Sequence, residues 1–226
     1  MKKAMLSILL LLAALSAAAQ DQPEYRAEIG GGIGMVNYLG DLNGNLLKDV
    51  QPMAALTARY RMNPRMCWAL NIGYGKLKGS QSDVQTYYPD LQGADYSFSN
   101  PLLDVGIKFE YNFWPYGTGR EYRGARRFTP YIGLGLGMTY VSADKGVFTA
   151  NVPIGLGVKY KLGHRTNLGA EWVMHFSLSD KLDGVQDPYG IKSTGIFKNT
   201  DCYGTLLVSI SYDLWPKCRT CHNDRD

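Results

Sequence analysis

Cys218-Arg219-Thr220-Cys221-His222 spells C-x-x-C-H, the spacing at which two thiols take up a c-type haem and the next imidazole binds its iron. Haem also needs an enclosing pocket and usually a second axial ligand. This motif lies on a short tail with little chain left to build either. A disulfide is the better reading of Cys218 and Cys221 in an oxidising compartment. Cys67 is expected near the same end of the fold as the tail and is the candidate partner for one of them. Cys202 is expected at the opposite end, too far from Cys67 for a bond.

A second constellation is His175-Phe176-Ser177 with Glu171 four residues earlier. On an extended chain these three side chains share a face, so acid, imidazole and hydroxyl fall in the order that activates a serine toward an ester. A lipase of this kind must turn the trio toward lipid. Trp172, Met174 and Phe176 claim the apolar face instead, so the register argues against catalysis and no enzyme is expected. Asp180, Asp183 and Asp187 offer oxygen ligands, yet their spacing matches no calcium loop and suits a solvated acidic loop. Gly30-Gly31-Gly32-Ile33-Gly34 falls within an extended segment and opens no helix. It fits a bulged or closely packed strand rather than a phosphate cradle. No metal, cofactor or small-molecule substrate follows from these residues.

The elements that must position such groups are strands. Lys2 and Lys3, the apolar stretch Met5 to Leu15, and Ala17-Ala18-Ala19 read as a secretory signal peptide over 1–19, cleaved to leave Gln20. The apolar run is too short to cross a bilayer, and no cysteine follows that would take a lipid anchor. Two of the 24 Lys and Arg lie in this leader, against 20 Asp and Glu in the chain. The mature protein is therefore nearly neutral, at about +2, and nucleic acid is not expected as a partner. The 16 tyrosines and 26 glycines suit a barrel whose aromatic rings sit at a membrane interface, although a soluble sandwich shares that composition.

Periodicity separates the two. Leu103, Val105, Ile107, Phe109, Tyr111 and Phe113 point one way; Asp104, Gly106, Lys108, Glu110 and Asn112 point the other. The same period of two recurs over 132–140, 154–162, 168–178 and 205–214. Strands are predicted at 25–39, 50–62, 66–78, 101–114, 129–142, 151–162, 166–178 and 202–215. They are long for a globular protein and right for a tilted membrane strand. Tight turns at 62–65 and 163–165 alternate with long loops at about 79–100 and 179–201, the asymmetry of periplasmic turns and external loops. The predicted fold is all-β: an eight-stranded antiparallel up-and-down transmembrane barrel over 20–215, with short periplasmic turns and longer extracellular loops. A periplasmic tail, 216–226, follows. So narrow a barrel is filled by its own side chains. Arg59, Lys108, Lys159 and Lys161 are expected to meet Asp104, Glu110 and Glu171 inside, with inward glycines making room. That lumen is scaffold rather than conduit.

One connection departs from the pattern. The stretch from Pro115 to Phe128 falls on the short-turn side yet is long and basic, gathering Arg120, Arg123, Arg126 and Arg127 with Tyr116 and Tyr122. It reads either as a solvated basic turn or, together with Cys218 and Cys221 on the tail, as a docking surface for a periplasmic partner.

Glu28-Ile29-Gly30 followed by Asn37-Tyr38-Leu39-Gly40-Asp41-Leu42-Asn43 resembles the opening strand of the PorG-like outer-membrane proteins of the type IX secretion system. Pro130-Tyr131-Ile132-Gly133-Leu134-Gly135-Leu136-Gly137 and Pro153-Ile154-Gly155-Leu156-Gly157-Val158-Lys159-Tyr160 are similar to the same family. The plan of leader, eight strands and tail covers nearly the whole chain. The resemblance implies an outer-membrane location, no catalytic residues, and association with a periplasmic PorK–PorN ring. The competing expectation is a stand-alone surface barrel whose extracellular loops bind an external ligand.

Overall fold

The computed structural model describes residues 24–39, 49–80, 97–118, 125–142, 146–178 and 201–216. Eight strands close into one barrel, in the order β1 Tyr25–Leu39, β2 Gln51–Arg61, β3 Met66–Ser80, β4 Ser97–Asn112, β5 Phe128–Val141, β6 Val147–Lys161, β7 Thr166–Ser177 and β8 Cys202–Pro216. Every neighbouring pair is antiparallel, and β1 closes the ring against β8. Closure removes the free sheet edges that a bilayer would leave without hydrogen-bond partners. The described residues contain no helix long and apolar enough to cross a membrane. The predicted leader, 1–19, lies outside the described residues.

The eight predicted strands are all present. β4 begins at Ser97 rather than 101 and β6 at Val147 rather than 151. Both extensions lie at the end carrying the long loops, where Ser97–Asn100 pairs with Leu77–Ser80. The register shows no slip in any of the pairs, so the glycine-rich part of β1 is closely packed and carries no bulge. A Cβ on Gly34 would lie 1.9 Å from the carbonyl oxygen of Leu206, and that approach excludes any side chain. The β5–β6 ladder is interrupted where Gly135 and Leu136 face Val152 and Pro153, because Pro153 has no N–H to give.

The faces are inverted relative to a soluble protein. Ile33 is 75% exposed and Leu136 73%, and Leu56, Leu134, Met138, Leu156, Val208 and Ile210 also point outward. Charged and amide side chains are buried inside. Such an apolar wall around a polar filling is the arrangement of a barrel solvated by lipid. Tyr60, Trp68, Phe113, Trp114, Phe128, Tyr160 and Tyr212 lie outward at the short-turn end, and Tyr74, Tyr140 and Phe148 toward the loop end. Aromatic residues at both ends of an apolar band mark the two bilayer interfaces.

Candidate functional site

Inside the barrel, several long charged side chains are seated opposite a small residue across the ladder. Lys108 lies between Ala69 and Gly135, Glu110 between Cys67 and Gly133, and Lys159 faces Gly169. The alternation of large and small lets these groups reach across a narrow lumen. Apart from Asp201 at the loop end, the buried carboxylates are Glu28, Asp104, Glu110, Glu171 and Asp213. The buried permanent bases are Arg59, Arg61, Lys108, Lys159 and Lys161. These five acids and five bases balance one another in the lower lumen.

Arg59 bridges Glu28, at 2.8 Å, and Glu110, at 3.2 Å, and Lys159 reaches the same Glu110 at 2.6 Å. Arg61 joins Glu28 to Asp213, which also takes Lys161; Lys108 pairs with Glu171. Asp104 is held differently. It accepts from Tyr203 Oη at 2.6 Å, Asn151 Nδ2 at 2.7 Å and Thr139 Oγ1 at 3.2 Å. The sequence placed Arg59, Lys108, Lys159, Glu110 and Glu171 in this network correctly. It paired Lys161 with the wrong acids and missed Glu28 and Arg61. The alternation around Arg61 is carried by Ala54 and Ala58, which are weak apolar markers.

Above the ionic floor the filling changes character. Val36, Tyr38, Met53, Leu77, Phe98, Leu102, Val141 and Tyr203 form an inward apolar cluster at the loop end, with Tyr38 edge-on to Phe98 at 5.2 Å. This cork was not anticipated from the sequence. Its signal was present as breaks in alternation, such as Leu102-Leu103 and Tyr140-Val141. Between floor and cork lies a cavity of about 30 Å³ lined in part by Asp104, Lys108, Glu171 and His175, room for about one water.

The sequence-predicted site residues separate into distinct places. His175 is stacked on Tyr203 at 4.4 Å with Nδ1 3.7 Å from Asp104, Ser177 lies by Thr149 at 3.4 Å, and Glu171 is on Lys108. All three face the lumen, turned from the outer wall. Cys67 is a free thiol, 1% exposed, and Cys202 is half-buried at the loop end. The Cys67 thiol donates to Glu110 at 3.2 Å and receives Lys159 at 3.6 Å. The expected bridge from Cys67 reaches to tail cysteines outside the described residues; the Cys67 sulfur itself lies inside the packed lumen. Cys218 and Cys221 lie outside the described residues, as do Arg120, Tyr122, Arg123 and the aspartates of 180–187.

Tyr116 was expected on an exposed turn and is 4% exposed. The connection folds back under the barrel. Tyr116 N donates to Pro64 O at 3.0 Å, and a short parallel bridge joins Tyr116 to Arg126. The hydroxyl reaches Asn167 at 2.9 Å, and the ring lies under Arg61 and Lys161. Burial pushes this phenol above its ordinary pKa. Arg126 and Arg127 remain exposed on the same segment, which Tyr116 thus ties to the barrel floor. On the outer wall an apolar groove of about 700 Å³ runs past Gly31, Ile33, Ala54, Leu56 and Val208, a surface that suits acyl chains.

A closed eight-stranded barrel with a polar, ion-paired filling and an apolar wall defines the class of outer-membrane β-barrels. Residues 2–221 match the family described as "Domain of unknown function (DUF6089)", and the chain belongs to it. Among solved structures it is similar to Neisserial surface protein A, at 15% identity over 83% of this chain and 97% of that one, with a TM-score of 0.50. It also matches OprG from Pseudomonas aeruginosa, at 14% identity over 87% and 99%, TM-score 0.48. The attachment invasion locus protein Ail of Yersinia pestis matches at 12% over 84% and 99%, TM-score 0.45. No curated protein matches the chain.

Proposed function

We propose that this protein is a structural and assembly component of the type IX secretion system, seated in the outer membrane and docking a periplasmic PorK–PorN-type ring. In this reading the short turns and both ends of the barrel domain face the periplasm. The supporting observation is the connection between β4 and β5. It is pinned to the barrel floor through Tyr116 while presenting Arg126 and Arg127 outward, which makes a firm, basic platform rather than a free loop. The filled lumen supports a scaffold role over transport through the barrel. Arg120, Tyr122, Arg123 and the tail with Cys218 and Cys221 extend the same platform in sequence. Copurification with a PorK-type lipoprotein, lost on charge reversal of Arg126 and Arg127, is the expected result. Normal protein secretion in a deletion strain would overturn the proposal.

A further inference from the structure

Three arginines at the short-turn end contact residues of the outward wall, two through rings and one through a backbone carbonyl. The Arg126 guanidinium lies 5.2 Å over the Trp114 ring, and Trp114 is itself exposed beside Phe128. Arg165 Nη1 donates to the hydroxyl of Tyr212 at 3.4 Å and lies over Tyr25. Tyr212 belongs to the outward face of β8 with Ile210 and Leu214. Arg65 Nη1 donates to the carbonyl of Phe113 at 2.7 Å, and Phe113 also faces outward. Each of these contacts leaves donors of the five-donor guanidinium free.

We infer that Arg65, Arg126 and Arg165 form a headgroup-binding rim that selects anionic glycerophospholipid in the adjoining leaflet. Aromatic belts fix the depth of a barrel in the bilayer, so a cation anchored on a belt residue sits at the phosphate level. A guanidinium there meets a phosphate in the bidentate geometry it favours. Arg65 and Arg126 meet the neighbouring residues Phe113 and Trp114, and Arg165 lies apart from them on the β6–β7 turn against β8. The contacts of Arg126 and Arg165 with rings of the wall place these two cations at the level of the aromatic belt, where lipid phosphate is met. The inference does not rest on the secretion role and is measured on the isolated barrel.

The test uses the full mature chain in vesicles, with quenching of its tryptophans by brominated phosphatidylglycerol against brominated phosphatidylcholine. Trp114 and Trp215 report from the rim. The wild type is expected to prefer the anionic lipid by roughly five-fold or more, the effect of about one unit charge near such a headgroup layer. Arg65→Gln, Arg126→Gln and Arg165→Gln combined are expected to abolish that preference, while the three lysine substitutions keep most of it. Resistance of the folded band to cold detergent serves as the folding control for each variant. Equal quenching by both lipids in the wild type would overturn the inference. So would an anionic preference unchanged in a folded triple glutamine variant, as would binding of an acidic protein alone.

Discussion

The hydroxyl of Tyr116 donates to Oδ1 of Asn167 at 2.9 Å, joining the β4–β5 connection to the base of β7 from beneath the lumen. That bond links Tyr116 to Asn167, which also bonds Lys161 and Asp213 of the buried ionic filling. Tyr116→Phe is expected to cost about 1–2 kcal/mol, the value of a lost buried hydrogen bond that leaves its partner short of one donor. Tyr116→Ala, which also empties the space beneath Arg61, should cost about 3–5 kcal/mol. Urea unfolding of the barrel in vesicles measures both, and equal stability of the two variants would show that the residue is not part of the floor.

The lumen network makes a second prediction. Arg59 serves two carboxylates, so Arg59→Ala leaves Glu28 and Glu110 each short of a cation in a buried site. A loss of about 3–5 kcal/mol is expected. Lys76→Ala, at an exposed position near the loop end, should fall within about 0.5 kcal/mol of the wild type. The same unfolding titration compares the two.

Close strand approach gives a third. Gly34→Ala forces a Cβ to within 1.9 Å of the Leu206 carbonyl, whereas a Cβ on Gly31 meets nothing nearer than 3.6 Å. Gly34→Ala should destabilise by about 1–3 kcal/mol, and Gly31→Ala should fold as the wild type does. The folded fraction after refolding into lipid, read from heat-modifiable gel mobility, distinguishes them.

The filled lumen predicts electrical silence. Wild-type protein in a planar bilayer is expected to show no steady open-channel current. Leu102→Ala with Tyr203→Ala, which thins the cork and removes the donor to Asp104, should introduce brief, small conductance steps. Sustained channels from the wild type would contradict the plugged reading.

Much of this architecture was legible in the sequence because period two is imposed by lipid on one side and a polar filling on the other. Leu103 to Phe113 and Leu206 to Leu214 announce their strands, their faces and their membrane span together. The start of β4 was not legible, since Ser97 and Ser99 lie where the outward wall no longer needs to be apolar. Arg59, Glu110 and Lys159 could be read as inward from their phase, but which acid meets which base depends on strand stagger around the ring. Tyr116 was the least legible residue. Tyrosine in a basic turn is ordinarily solvated, and its burial follows from the turn at 62–65 lying close enough to accept its backbone N–H. For Cys67, proximity to the short-turn end could be read from the sequence, while the thiol's direction into the lumen could not.

In the proposed role the short-turn face docks a periplasmic ring and the filled lumen only supports it. Photo-crosslinking in living cells tests this most directly, with the crosslinker at position 127 on the basic connection and, in a parallel strain, at position 147 near the loop end. The account predicts crosslinks to a PorK- or PorN-type protein from position 127 and none to it from 147. Crosslinks to such a protein from 147 alone, or none from 127 in a folded, membrane-inserted variant, would contradict it.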